Sequence, residues 1–267
     1  MLTVLQLRAA AARKAAGLAR AISPSGEPVP GTASGYGPFW SPHDEREARV
    51  AILAEEDAAR FEASGRADAE QVGRLVRRDA TVLDLGCGIG RVARYMAERC
   101  RLLWASDASP VMLEMAGRRL ADRPNVRLVQ SADVAIPEIP DHSVDVAYSI
   151  LVLQHLERED AFLVLRELRR VLRPAGAAYL TFPNLLSDTY LRIFLDSVDS
   201  RAVGNLARTR MYTPEEVMRL LPAAGLRVEG LRAEQEIIVV CRPDDPDRRA
   251  RGAGERTRTS IPEGTGT

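Results

Sequence analysis

The stretch Thr81-Val82-Leu83-Asp84-Leu85-Gly86-Cys87-Gly88-Ile89-Gly90-Arg91 decides the fold. A short apolar run, polar only at Thr81 and Asp84, enters three alternating glycines. Glycines at a strand-to-helix turn let a ligand come close to the backbone. A phosphate-cradling loop would end in glycine, lysine and Ser or Thr; Arg91 and Val92 follow here, and the chain's single lysine is Lys14. A dinucleotide loop would read G-x-G-x-x-G. Gly86 and Gly88 fit that pattern, but Arg91 occupies its last position. Asp84, two residues before the first glycine, is poorly placed for a pyrophosphate, because like charges repel strongly at short range in a low dielectric. It suits a ligand that carries cations.

Downstream of this stretch, apolar runs at 102–106, 126–130, 144–149 and 177–182 alternate with helical spacing at 91–99, 109–121 and 157–172. Strands alternating with helices imply a parallel sheet covered on both faces. Ser109-Pro110 supplies an N-cap followed by proline at the first helical position, and Pro174 and Gly176 end the helix at 157–172. Runs at 226–231 and 236–241 are separated by four residues. That is too short for a parallel crossover, so they form an antiparallel hairpin. The expected fold is α/β: a Rossmann-like, seven-stranded, mostly parallel sheet with a C-terminal antiparallel hairpin and helices on both faces. Upstream, 23–42 is loop-like, and helical spacing is expected over 44–63 and 67–77. The expected organisation is an N-terminal arm with helices (1–66), a catalytic domain (67–242) with a helical insertion at 184–210, and a disordered tail (243–267).

Two further acids follow the first. Asp107 ends the second strand, 21 residues after Gly86, near the ~20-residue offset of an acid that grips ribose hydroxyls. Asp133 follows the third strand, where an adenine would lie. Singly, each is an ordinary turn or cap residue. Jointly, three acids at three successive strand ends converge on the crevice where open α/β sheets bind ligands. S-adenosylmethionine, with an ammonium and a sulfonium, matches that charge pattern.

The sequence resembles the class I S-adenosylmethionine-dependent methyltransferases. VLDLGCGIGR (82–91) is similar to the family's first motif, and 144–184 and 211–231 resemble the later regions of the type 11 subgroup, which includes ubiquinone and menaquinone biosynthesis enzymes. The resemblance implies that Asp84, Gly86, Cys87, Gly88 and Gly90 line the methionine portion of the cofactor. It implies that Asp107 and Ala108 hold the ribose, that Ala132 and Asp133 bracket the adenine, and that Ser149 lies under the sulfonium. Ala175 stands where the family usually has glycine, and His142-Ser143-Val144-Asp145 where Ser-Phe-Asp is commoner.

His155, just past the fourth strand, is the general-base candidate for a poorly nucleophilic acceptor; the alternative is that it caps the next helix or packs under the lid. Tyr36, Trp40, Gln154 and Tyr190 are candidate acceptor contacts. The Tyr36–Trp40 cluster reads as a lid or as an anchor for the arm, and the 184–210 insertion as a second lid or a dimer contact. The expected activity is methyl transfer to a small-molecule acceptor, with O-methylation slightly favoured. A protein or RNA methyltransferase, or a non-catalytic cofactor-binding scaffold, are the alternatives.

Composition narrows the partners. The chain has 267 residues with 37 Lys+Arg and 37 Asp+Glu. Residues 27–241 hold 27 basic and 32 acidic residues, which disfavours a nucleic-acid partner. Cys87, Cys100 and Cys241 are widely spaced, and His43, His142 and His155 make no H-x-x-x-H pair, so neither a disulfide framework nor a metal site is expected. No apolar run has the length of a membrane span. Residues 1–23 lack the apolar core of a signal peptide. A cytoplasmic monomer or homodimer is the expectation.

Overall fold

A computed structural model describes residues 36–132, 134–199 and 209–244. In chain order the elements are α1 (Tyr36–Phe39), α2 (Glu45–Leu53), α3 (Ala58–Gly73), β1 (Thr81–Leu85), α4 (Ala93–Met96), β2 (Leu102–Asp107), α5 (Pro110–Arg119) and β3 (Val126–Gln130). They continue with β4 (Val144–Ser149), a 3-10 turn (Leu153–His155), α6 (Arg158–Val171), β5 (Leu172–Pro183), α7 (Asp188–Asp199), α8 (Pro214–Ala223), β6 (Leu226–Ala233) and β7 (Glu236–Pro243). The strands form one sheet in the order β3-β2-β1-β4-β5-β7-β6. The first five are parallel, and β7 inserts antiparallel between β5 and β6.

β1 lies at the middle of the parallel half, and all five of its residues are buried. Alternation along the strand splits them between two cores. Val82 joins Phe61, Met96, Leu103 and Tyr148 on the face covered by α3 and α4. Leu83 and Leu85 join Leu165, Leu168, Leu180 and Val239 on the face covered by α6. Asp84 shares the Val82 face. Its neighbour across the ladder is Tyr148 of β4, so the carboxylate and the phenol stand side by side.

The local signals behave as expected at α5. Ser109 Oγ accepts from Met112 N, and Pro110 opens the helix. Several boundaries differ. The helix expected over 44–63 is broken at Ala54, which takes a left-handed φ of 48° and ends α2. Asp57 then caps a new start by accepting from Arg60 N, so the remainder of 44–63 and much of 67–77 fuse into α3. The helix expected over 91–99 is the four-residue α4, flanked by turns. β5 begins five residues earlier than expected. A register shift between Val144 and Val146 lets Pro174 and Gly176 enter the strand. β7 extends through Pro243, and Asp244 N donates to Gly225 O, so the sheet reaches into the segment expected to be tail. Of that tail, 245–267 lies outside the described residues, as do 1–35 of the arm, Asp133, and 200–208 of the insertion.

Candidate active site

The C-terminal ends of β1, β2 and β4 frame a cavity of about 1070 Å³, part of it open to solvent. That is the crevice in which open parallel sheets bind ligands. The glycine loop is hung from β2: Gly86 N and Cys87 N both donate to Ser106 O, at 2.8 and 2.9 Å. Gly86 has φ of +78°, and a Cβ there would lie 2.2 Å from Val152 Cγ2. Only glycine satisfies both the dihedral and the close approach of the β4 loop.

Three observations define the chemistry of the cavity. First, Asp84 is 4% exposed, and its Oδ2 is buried with no hydrogen-bond partner. Desolvation pushes its pKa up to about 7, although the Tyr148 hydroxyl and the Arg91 charge pull it down. Second, Asp107 Oδ2 accepts from Gly88 N at 2.8 Å and Oδ1 from Ser109 N at 2.9 Å. Burial raises its pKa, and those backbone donors oppose the rise. Third, Ser106 Oγ and His155 Nδ1 are buried without partners, and both residues line the same cavity. A carboxylate, a hydroxyl and an imidazole left unsatisfied in one cleft call for a polar, cationic ligand, because buried polar groups otherwise find partners. The residues therefore fit S-adenosylmethionine: a cation would satisfy the orphaned Asp84 oxygen, and the Asp107 carboxylate is held by two backbone N–H groups.

The β4 loop forms the opposite wall with Ile150, Leu151 and Val152. Leu151 adopts φ of +65°, a strained conformation for a branched residue, and its N–H donates to Thr181 Oγ1. Next comes His155. Gln154 Nε2 lies 3.0 Å from its Nε2, and the Trp40 ring meets it edge-on at 4.7 Å. Desolvation, then the Arg210 charge, lowers the His155 pKa to about 3, so the ring is neutral at any physiological pH. Arg210 clamps this turn. Its N–H donates to Gln154 O, its guanidinium to His155 O, and it pairs with Glu157.

The chain before α2 closes the top. Tyr36 Oη donates to Asp160 Oδ2 at 2.6 Å and accepts from Glu157 N at 3.1 Å. Ser109 Oγ donates to Trp40 O. A Cβ at Gly37 would lie 2.5 Å from Ala108 O. The segment is thus seated against the ends of β2 and α6, with Tyr36 and Trp40 in the cavity wall.

Of the residues singled out from sequence, Asp84, Gly86, Cys87, Gly88, Asp107, Ala108, His155, Tyr36 and Trp40 line the cavity together. Gly90 backs onto Leu120 instead. Ala132 is tied to Ala135 by a bridge beside the wall, and Ser131 and Val134 face the cavity in its stead. Ser149 is fully buried, and Gln154 stands behind His155. Tyr190 belongs elsewhere. It is buried with Ile193 and Met211 in a small separate core, and its hydroxyl faces Glu236 at 3.4 Å. The α7 side chain expected at the acceptor is therefore a packing residue. Sequence reading missed Ile52, Arg91 and Ser106. Ser106 was signalled by its place beside Asp107. Ile52 was hidden because it lies off the apolar stripe of α2, at the end of the helix.

This sheet order, with one antiparallel strand and acids at the strand ends, defines a class I S-adenosylmethionine-dependent methyltransferase domain. Residues 83–180 match the family model described as a methyltransferase domain. A malonyl-[acyl-carrier protein] O-methyltransferase of Salmonella typhimurium is 39% identical over 145 residues, covering 53% of this chain and 52% of the relative. A thiol S-methyltransferase of Homo sapiens is 31% identical over 102 residues, covering 37% and 41%. The chain thus matches about half the length of these curated relatives, or less. Among solved structures, an S-adenosylmethionine-dependent methyltransferase of Aquifex aeolicus aligns with a TM-score of 0.52 at 21% identity, covering 72% of this chain and 97% of that one. A Pyrococcus horikoshii protein aligns with a TM-score of 0.56 at 20% identity, covering 72% and 93%. At these identities the structures speak for the fold. Among the described residues, no helix is long and apolar enough to cross a membrane, and no group of three or more His, Cys, Asp or Glu is arranged for a metal.

Proposed function

We propose that this protein transfers a methyl group from S-adenosylmethionine to a small-molecule acceptor, and that the acceptor atom is oxygen. The observation that carries the reading is the buried Asp84 carboxylate, whose Oδ2 has no partner, beside the positive-φ glycine loop. Asp84 holds the ammonium, the backbone of Gly86 and Gly88 borders the methionine portion, and Asp107 takes the ribose hydroxyls. Ser131 and Val134 flank the adenine, in the stretch where Ala132 and Asp133 were expected to do so. When bound, S-adenosylmethionine supplies a methyl group already activated on a sulfonium, so the protein's part is to position the acceptor and exclude water.

The acceptor lies between Trp40, Ile52, Val152 and His155. These walls suit an apolar body, and among the described residues the one cavity-lining guanidinium, Arg91, is paired with Asp68 at 2.7 Å. His155 orients the acceptor oxygen through Nδ1. Its depressed pKa makes it a weak base, which favours acceptors that ionise readily, such as phenols, over simple alcohols. The relatives named for acceptors act on oxygen in one case and sulfur in another, in line with a soft or acidic nucleophile. The test has two parts. Titration calorimetry should show binding of S-adenosylmethionine. Transfer of labelled methyl should then be followed across phenols, carboxylates, thiols and amines. No binding would refute the cofactor reading, and transfer to amines alone would refute the oxygen acceptor.

A further inference from the structure

Arg91 ends the glycine stretch and lines the cavity, yet it bonds outward to α3. Its guanidinium donates to Asp68 Oδ2 at 2.7 Å and to Ser64 Oγ at 3.1 Å. Both partners of the ion pair are buried, with side chains 4% and 6% exposed. The contact is built closely. Gly65, in the same helix turn, abuts the Arg91 backbone, and a Cβ there would lie 2.3 Å from Arg91 O. Asp68 and Ser64 precede the 83–180 segment that matches the methyltransferase family model, so α3 brings the anionic partner of Arg91 to the loop from outside the matched segment.

A buried pair is weak evidence for stability, since desolvation offsets the attraction. Its position suggests another role. Asp84, whose Oδ2 has no hydrogen-bond partner, lines the same cavity as Arg91, and the charges acting on it are few. The Arg91 cation favours its ionised form, while Asp107 at the end of β2 and Asp68 on α3 oppose it. Tyr148 of β4 and Cys87 of the loop also face it, but burial holds both protonated, so neither changes charge across the working pH range. We propose that Asp68 and Arg91 are positioning residues for cofactor binding: α3 fixes the guanidinium beside the glycine loop, and the balance of the two charges sets how firmly Asp84 holds the cationic end of the ligand. This rests on the assignment of Asp84 to the ammonium.

The test is calorimetry of the full chain with S-adenosylmethionine from pH 5.5 to 8.5. Affinity should fall on the acid side as Asp84 takes a proton, and on the alkaline side as the ligand's amino group loses one, near the ordinary α-amino value of about 7.7–8.0. Arg91→Met should move the acid limb to higher pH, weakening binding about tenfold near pH 6.5 and only a few-fold near pH 8. Asp68→Asn removes the opposing anion and should move the same limb to lower pH. Opposite displacements support the proposal, because a purely structural pair would weaken binding alike at every pH. Displacement in the same direction, or a loss independent of pH, overturns it. If Arg91→Met does not fold, the Asp68→Asn limb decides: a downward shift supports, and none overturns. A wild-type protein with no binding at any pH refutes the cofactor reading itself; wild-type binding with unshifted limbs refutes only this inference.

Discussion

Asp84→Asn separates what the site costs the fold from what it gives the ligand. Asn keeps the shape of the side chain and removes its charge. The folded pKa of Asp84 is raised to about 7 from 3.8, chiefly by desolvation, so between roughly pH 4 and 7 the folded state binds more protons than the unfolded state. Stability therefore falls as pH rises through that window. This is the reverse of the salt-bridged carboxylate, whose contribution is lost as pH falls. At pH 8 the cost is the full separation of the two pKa values, about 4 kcal/mol at ~1.4 kcal/mol per unit; at pH 5 only the interval above the unfolded pKa counts, about 2 kcal/mol. Asn has a desolvation cost of its own, so the decisive quantity is the change with pH. The stability gained by Asp84→Asn should be larger at pH 8 than at pH 5 by roughly 2.5 kcal/mol. Urea unfolding of both proteins at the two pH values measures it. Added S-adenosylmethionine should stabilise the wild type, by about 2.7 kcal/mol at a hundred times Kd, and leave the variant unmoved. A variant whose advantage is the same at both pH values would refute the reasoning, since Asp84 would then not be a desolvated carboxylate that awaits a cation.

Two other perturbations follow from the same geometry. Gly86→Ala forces a Cβ to within 2.2 Å of Val152 Cγ2 at φ of +78°. It should destabilise by about 1–3 kcal/mol and lower cofactor affinity at least tenfold; an unchanged calorimetric isotherm would count against the loop as the binding element. The chain's two tryptophans differ in position, with Trp40 in the cavity wall and Trp104 in β2. A fluorescence change on adding S-adenosylmethionine should survive Trp104→Phe and vanish in Trp40→Phe; the opposite pattern would remove Trp40 from the site.

What was legible in the sequence is what the backbone alone determines. The seven strands follow from apolar runs whose alternation and spacing are covalent facts, and the hairpin from a gap too short to cross over. The glycine loop and Asp107 were legible because strand ends in a parallel sheet all open on one crevice, which makes a residue's place along its strand nearly its place in the site. Asp84 illustrates the limit. Its register beside Tyr148 is a pairing of distant strands, and its pKa depends on that neighbour, on Arg91 and on the water excluded around all three. None of these is a local property. The break at Ala54 was hidden for a related reason: an alanine in the left-handed region has no local signature, and Asp57 reveals itself as a cap only once the turn before it is known.

Tyr190 and Trp40 show how differently two aromatic residues picked out from sequence can be seated. Both stand out by composition, and both were assigned to the acceptor. Tyr190 lies on α7, whose buried side packs Tyr190 and Ile193 against Met211, so its apolar area is used within the insertion's own small core. On the other side of α7, Leu191, Phe194, Leu195 and Val198 are all more than 40% exposed. The helix is thus apolar on two sides, and periodicity alone does not say which side is covered. Trp40 is decided by its backbone instead, because its carbonyl accepts from Ser109 Oγ and Gly37 sits directly on Ala108 O. Those contacts tie the ring to the end of β2, beside Asp107. A residue anchored through its main chain to a strand end inherits the location of the crevice, whereas one anchored by its side chain goes where a complementary core happens to form.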